Sequence, residues 1–242
     1  MTSAPSTDPP RLQGDEALFI DFDGTLAPIQ NDPNTVELPR IAEGALHALK
    51  ERLEGAVAIL SGRDVRDLTN RVSTAFWRAG AHGVEICTPG EAPTAAVADA
   101  PILEAVQEKI VGLVGVWAES KGPVVAVHYR RAPERAEDVR RALKDVLGSF
   151  DSYTLQEGKM VLELKPVGAN KGEALSRLMQ ETPFAGRKPV MIGDDTTDED
   201  GFAAARSLGG YGVKVGDGAT AARYRLTDPK EVASWLSAGV RP

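Results

Sequence analysis

The chain has 242 residues, 42% of them hydrophobic and 26% charged, which suits one large or two small globular domains and excludes wholesale disorder. A formal net charge of −7 and a pI near 5.1 argue against a nucleic-acid partner, whose phosphates need a clustered basic surface, and point instead to a cation near the acidic groups. The single cysteine, Cys87, excludes an internal disulfide and a thiolate metal cluster and fits a reducing compartment.

Residues 1–14, MTSAPSTDPPRLQG, are rich in Pro, Ser and Thr and are expected to form a mobile tail with nothing to bury. They lack the basic and apolar regions of a signal peptide, and no later stretch is apolar for long enough to span a membrane, so a cytoplasmic location is expected. From Ala17 short apolar strands alternate with amphipathic helices. ALFI is a strand. LPRIAEGALHALKERLEG is a helix with Ile41, Ala45, Leu46 and Leu49 on one face, AVAIL is a second strand, and SGRDVRDLTNRV opens another helix. The same pattern returns late in the chain, with NKGEALSRLMQET as helix, KPVMIGDD as strand, TDEDGFAAARSL as helix, YGVKVGD as strand and DPKEVASWLSA as helix. Continuous apolar strands alternating with helices imply a Rossmann-like α/β core, a parallel sheet covered on both faces.

The middle of the chain follows a different rule. Residues 101–120 and 133–147 are expected to be helices, while PVVAVHYR, DSYTLQ and GKMVLELKP are expected strands, the last two joined by a turn at Glu157-Gly158. Polar and apolar residues alternate along them, as in a sheet with one buried and one open face. Domain boundaries follow: a core at 15–91 and 166–242, with a smaller α+β module inserted at 92–165. The insert carries 10 basic and 11 acidic residues, so most of the net negative charge belongs to the core.

In an open parallel sheet ligands bind at the carboxyl ends of the strands. Asp21 and Asp23 follow ALFI, Ser61 follows AVAIL, and Asp194 and Asp195 follow VMIG, while Lys171 stands at the start of a helix, where N–H groups favour an anion. Each alone has an ordinary explanation, since Asp and Ser cap helices and a lone Lys is usually solvated. Four separate segments delivering carboxylates, a hydroxyl and an ammonium to one rim are harder to dismiss. Crowded carboxylates need a cation, so Asp21, Asp23 and Asp194 are expected to bind a hard, oxygen-preferring metal. Mg2+ is the natural choice, because the dense acidic loop of a Ca2+ site is absent. A metal, a lysine and a hydroxyl converging on one point suit a phosphoryl group.

In order and rough spacing, DFDGTL (21–26), SGR (61–63), NKG (170–172) and GDDTTDED (193–200) resemble the four motifs of the haloacid dehalogenase superfamily of phosphotransferases. The resemblance implies that Asp21 is the nucleophile, forming an aspartyl phosphate, and that Asp23 is the acid and base for the leaving oxygen and the attacking water. It implies that Ser61 and Lys171 hold the phosphoryl oxygens. Mg2+ would sit on the Asp21 carboxylate, the Asp23 carbonyl and Asp194, with Asp195 and Asp198 directing waters or Lys171.

An insert between the second motif and the lysine is the position of the α/β cap in that superfamily, many of whose capped members act on sugar phosphates. GDDTTDED, HGVE (82–85), VHYR (127–130) and GKMVLELKP (158–166) resemble signatures of the trehalose-6-phosphate phosphatase family, which implies hydrolysis of that sugar phosphate to trehalose and phosphate. Strand parity places Met160, Leu162 and Leu164 on one face and Lys159, Val161, Glu163 and Lys165 on the other. In the same way Val125, Val127 and Tyr129 oppose Val124, Ala126, His128 and Arg130. The open faces would then present His128, Arg130, Lys159 and Glu163 to sugar hydroxyls as the cap closes. A solvated outer face is the ordinary alternative. His82 and Glu85, after another core strand, are candidates for sugar contact. Arg63 could contact substrate or cap its helix. Phosphatases of sucrose 6-phosphate or mannosyl-3-phosphoglycerate stay open as alternatives. So does a phospho-accepting signalling domain, which would share the acidic residues, hydroxyl and lysine but would need no second carboxyl. The expected partner is a small sugar phosphate, with no nucleic acid and no membrane; the sequence leaves the oligomeric state unknown, with a monomer favoured.

Overall fold

The structure, a computed structural model, describes residues 8–93, 100–158 and 160–240. In chain order the elements are β1 (Glu16–Asp21), α1 (Arg40–Arg52), β2 (Val57–Leu60), α2 (Val65–Thr69), β3 (Trp77–Gly80), β4 (Glu85–Cys87), α3 (Ala100–Ile110), β5 (Trp117–Lys121) and β6 (Val124–His128). They continue with α4 (Ala136–Leu147), β7 (Tyr153–Gly158), β8 (Val161–Pro166), α5 (Lys171–Leu178), β9 (Lys188–Gly193), α6 (Glu199–Ser207), β10 (Tyr211–Val215), β11 (Tyr224–Leu226) and α7 (Pro229–Gly239). The chain divides into two compact units, one of Met1–Pro93 with Asn170–Pro242 and one of Thr94–Ala169.

The larger unit is an α/β sheet in the order β11-β10-β9-β1-β2-β3-β4, parallel throughout except for the antiparallel edge pair β3/β4. β1 lies at its centre between β9 and β2, and every residue of β1 and of β2 is buried. Such strands can be apolar on both faces because helices cover both. The register sets Asp21 beside Leu60, the residue before Ser61, and Ile20 beside Ile192, two residues before Asp194. Three motifs therefore end at one level of the sheet.

The smaller unit is an antiparallel sheet in the order β5-β6-β8-β7. Val125, Val127, Leu162 and Leu164 of its buried face form one cluster with Ile102, Val106 and Ile110 of α3 and Val139, Leu143 and Val146 of α4.

Several expectations need correction. In α1 the buried stripe is Ala42, Ala45, Leu46 and Leu49, and Ile41 is 71% exposed. The spacing i, i+3, i+4, i+7 is satisfied from Ala42, so geometry prevails over the larger side chain. The helix expected over 101–120 ends at Ile110, and Trp117–Lys121 is an edge strand. Ile102, Val106, Ile110, Leu113 and Trp117 keep helical spacing, which hides the break, but Gly115 adopts φ +84 and turns the chain before the strand. β7 runs through Glu157 and Gly158, with Gly158 opposite Val161, so the hairpin reverses two residues later than expected. Met160, at φ +62 and 40% exposed, belongs to that reversal and leaves the apolar face to Leu162 and Leu164.

On the other face of the small sheet Val124 and Ala126 are buried, where an open surface was expected. Ala126 lies in an interior strand opposite Glu119 and Glu163, and a short side chain there loses water to longer lateral neighbours. Residues 8–14 are not an idle tail. Leu12 is buried in the core, Arg52 donates to the Leu12 carbonyl at 3.0 Å, and the Trp235 indole N–H donates to the Pro10 carbonyl at 3.1 Å. Residues 1–7 lie outside the described residues.

Candidate active site

The segment after β1 folds back on itself, with the Gly24 N–H donating to Ala27 O at 2.8 Å and both Leu26 and Ala27 donating to Phe22 O. Gly24 makes this possible at φ +85, a region L side chains avoid, and it also admits its neighbour. A Cβ on Gly24 would stand 2.2 Å from Asp194 Oδ2. Gly193 plays the same part on the other segment, where a Cβ would meet Asp198 Cγ at 2.1 Å. Gly24 thus lets the acidic segments after β1 and β9 come together, and Gly193 lets Asp198 fold back against the end of its own strand.

One carboxylate oxygen from each of Asp21, Asp194 and Asp198 lies within 4.8 Å of the others. Lys171, at the first position of α5 behind the Asn170 N-cap, is 2% exposed and donates to Asp21 Oδ1 and Asp198 Oδ1, both at 2.6 Å. Asp198 Oδ2 accepts the Asp195 N–H at 2.9 Å, so both Asp198 oxygens are committed. Asp195 itself is exposed, and its side chain caps its own turn by accepting from Thr196 N. Asp194 is held at both ends: Thr25 donates its hydroxyl to Oδ1 at 3.2 Å, and the buried Lys214 ammonium donates to the Asp194 carbonyl.

Burial pushes the Asp21 carboxyl well above the usual carboxylate range; Lys171 opposes this, and the Asp198 and Asp194 charges add to it. Burial also raises Asp194, reinforced by Asp198 and opposed by Lys171. The Lys171 ammonium moves up from its ordinary value because Asp21 and Asp198 outweigh the burial that disfavours its charge. Asp21 Oδ2 is buried and, among the described residues, accepts no hydrogen bond. Three carboxylates clustered around a single ammonium leave acidic charge only partly balanced, a donor set that fits a hard cation with oxygen ligands.

Ser61, 1% exposed at the end of β2, accepts the Arg63 N–H on Oγ at 3.1 Å, which leaves its own O–H to donate elsewhere. His82, at φ +57, donates its N–H to Ser61 O at 2.9 Å, and its ring stands over Gly62, where a Cβ would meet Cε1 at 2.9 Å. Glu85 is in edge strand β4 and buried, with Oε2 accepting the Val65 N–H at 2.9 Å at the start of α2. Arg63 grips Asp23 with a fork, Nε to Oδ2 and Nη2 to Oδ1, each at 2.6 Å, and its Nη1 reaches Asp67 at 2.6 Å. Burial would lower the Arg63 guanidinium, and hydrogen bonds and charge from Asp23 and Asp67 outweigh it and move the group above its ordinary value.

In the smaller unit His128 Nε2 lies 2.8 Å from Glu119 Oε2, and its ring stacks on Trp117 with centroids 4.9 Å apart. Arg130 is exposed, and Glu163 is half-buried opposite Ala126 and Gln156. Lys159 lies outside the described residues. Thr25, Lys214 and the Arg63–Asp23 pairing were missed from sequence. Thr25 belongs to the DFDGTL motif, whereas Lys214 carries no local signal.

A family model described as trehalose-phosphatase matches residues 19–230. The chain belongs to the trehalose-phosphatase family. It is a phosphoric monoester hydrolase on a haloacid dehalogenase-like fold. Among its relatives, trehalose-6-phosphate phosphatase of Escherichia coli (strain K12) is 39% identical over 237 residues, covering 96% of this chain and 89% of that one. The crystal structure of a trehalose-6-phosphate phosphatase related protein superposes with a TM-score of 0.72 at 25% identity, covering 90% of this chain and 94% of the other. Aspergillus fumigatus trehalose-6-phosphate phosphatase superposes with a TM-score of 0.71 at 27% identity, covering 92% of each chain.

Proposed function

We propose that this family member hydrolyses trehalose 6-phosphate to trehalose and phosphate, the last step of trehalose synthesis, through an aspartyl phosphate on Asp21 and with Mg2+ as cofactor. The observation that carries the proposal is the buried constellation of Asp21, Asp194, Asp198 and Lys171 at the carboxyl ends of β1 and β9, within a match that runs through nearly the whole chain.

Asp21 attacks phosphorus through Oδ2, the oxygen Lys171 leaves free. An O–P bond forms as the bond to the sugar oxygen breaks, and that oxygen keeps the electron pair and takes a proton from Asp23. Water then attacks phosphorus and gives its proton to Asp23, and the Asp21 carboxylate is regenerated with release of phosphate. Lys171 has one N–H left after Asp21 and Asp198, and Ser61 has its O–H; both suit the non-bridging oxygens. Mg2+ would be held by Asp21, Asp194 and the Asp23 carbonyl, where it would offset charge on the phosphoryl group. Asp198 holds Lys171 through Oδ1 and the turn after β9 through Oδ2.

Selectivity for the sugar is assigned to the Thr94–Ala169 unit as a specificity cap, through His128, Arg130, Lys159 and Glu163. His82 stands beside the Ser61 loop and remains a candidate for sugar contact. Glu85 is better suited to holding α2. The single, buried Cys87 agrees with action in a reducing cytoplasm.

A panel of sugar phosphates, assayed with Mg2+ and again with a chelator, tests the proposal. Preference for trehalose 6-phosphate and loss of activity on chelation are expected. Preference for sucrose 6-phosphate or mannosyl-3-phosphoglycerate overturns the substrate, and undiminished activity in chelator overturns the metal.

A further inference from the structure

Sequence leaves Arg63 as either a substrate contact or a helix cap, and the structure gives its guanidinium a different engagement. Nε and Nη2 take both oxygens of Asp23 in parallel, Nη1 takes Asp67 Oδ2, and Nη2 also donates to Pro33 O at 2.9 Å. Four contacts therefore use three nitrogens, and the Arg63 side chain is only 13% exposed. Asp67 is fixed in turn by Arg71, whose Nη2 lies 2.8 Å from Oδ1, and Arg71 Nη1 donates to the Val36 carbonyl. Asp23 is thus the end of a chain of charged groups running through α2 to the segment at 33–36.

We infer that Arg63 is a positioning residue that sets the direction of the Asp23 carboxylate, rather than a substrate contact, and that Asp67 and Arg71 hold Arg63 in place. A bidentate pair fixes a carboxylate in its plane as well as in distance, which a single hydrogen bond does not do. A carboxylate offers about four lone-pair directions and the fork takes two of them, so one outward direction on each oxygen stays open for the proton that passes to the leaving group. Without the fork the Asp23 side chain would turn about its own bonds. Proton delivery that depends on position would then be lost.

The inference rests on the acid role proposed for Asp23, and the test separates the two. kcat and KM are measured for Arg63→Lys, Arg63→Ala, Asp67→Asn and Asp23→Asn with trehalose 6-phosphate, phenyl phosphate and p-nitrophenyl phosphate, after circular dichroism has established folding. The two aryl esters are alike in size, and p-nitrophenolate departs without a proton. Arg63→Ala and Arg63→Lys are expected to lower kcat on trehalose 6-phosphate by about 100-fold, less on phenyl phosphate and least on p-nitrophenyl phosphate, with KM little changed. Asp67→Asn, which leaves the fork on Asp23 but loosens its base, is expected to give the same order with smaller losses. A rise in KM with kcat held would make Arg63 a substrate contact and overturn the inference. Equal losses on all three esters would make its role purely structural and overturn it too. If Asp23→Asn depends on the leaving group and the Arg63 variants do not, only the positioning role falls. If Asp23→Asn shows no such dependence, the acid role falls with it.

Discussion

Gly24→Ala separates backbone strain from loss of the site. Gly24 sits at φ +85 and its missing Cβ would stand 2.2 Å from Asp194 Oδ2, whereas Gly186 at φ +78 has nothing within 4 Å of the same point. Alanine at either position takes on the left-handed backbone, at roughly 1–2 kcal/mol. At Gly24 the contact must also open by about 0.8 Å before it reaches 3.0 Å, a separation real Cβ atoms respect, and crowding of this kind adds ~1–3 kcal/mol. Asp194 is tied by Thr25 and Lys214, so the movement disturbs a placed carboxylate rather than a loose one. A misplacement approaching 1 Å costs on the order of 100-fold in turnover. Thermal melts and steady-state assays on trehalose 6-phosphate should therefore diverge. Gly186→Ala is expected to lower Tm by roughly 2–8 °C with kcat intact, and Gly24→Ala to lower it by roughly 4–20 °C with kcat down about 100-fold. A folded Gly24→Ala protein with full activity, or equal loss of activity in both variants, would refute the close approach as the reason for this glycine.

Asp21→Asn is expected to abolish turnover yet raise the stability of the metal-free protein by ~0.5–2 kcal/mol, since burial disfavours the charge it removes. Because the folded-state value is raised, ionising Asp21 costs stability as pH climbs above the ordinary 3.8; the gap in urea midpoints should be widest near neutrality and close toward pH 3.8, and a gap that grows on acidification would contradict the assignment. Lys171→Met strands Asp21 and Asp198 without their buried cation and should cost ~3–5 kcal/mol by urea unfolding, and a loss under 1 kcal/mol would show the pair to be dispensable. Asp67 moves the other way: hydrogen bonds from Arg71 and Arg63 overcome burial and lower its carboxyl below 3.8. Its contribution is present above that value and lost as pH falls through the folded-state one, so Asp67→Asn should destabilise at pH 7 and approach the wild type in acid.

The sequence displays what lies along the chain and conceals what is assembled across it. Strand ends were legible because β1, β2 and β9 each contain an uninterrupted apolar run that stops before Asp21, Ser61 and Asp194. Lys171 was legible at the same rim because it opens a helix, and the motif resemblance gave it phosphoryl oxygens to hold, but its bond to Asp21, 150 positions away, is made only by the fold. Arg63 shows the limit. Its charge and place after β2 fit a substrate contact, but its fork closes on Asp23, 40 residues away, and on Asp67 one helical turn along. Lys214 looked like an ordinary strand residue, and only the crossing of β10 beside β9 takes its ammonium to the Asp194 carbonyl. Trp117 misled for a local reason, because helical spacing continued past Ile110 into an edge strand. Ile41 misled because size suggested burial where the phase of α1 assigns it to water.

The central claim is covalent chemistry at Asp21. Protein mixed with radiolabelled trehalose 6-phosphate and Mg2+, quenched in acid within milliseconds and reduced with borohydride, would convert an aspartyl phosphate to homoserine at the labelled position. Peptide mass spectrometry should find that change at residue 21, formed and lost as fast as trehalose appears. Full turnover with residue 21 unmodified at every quench time would contradict it.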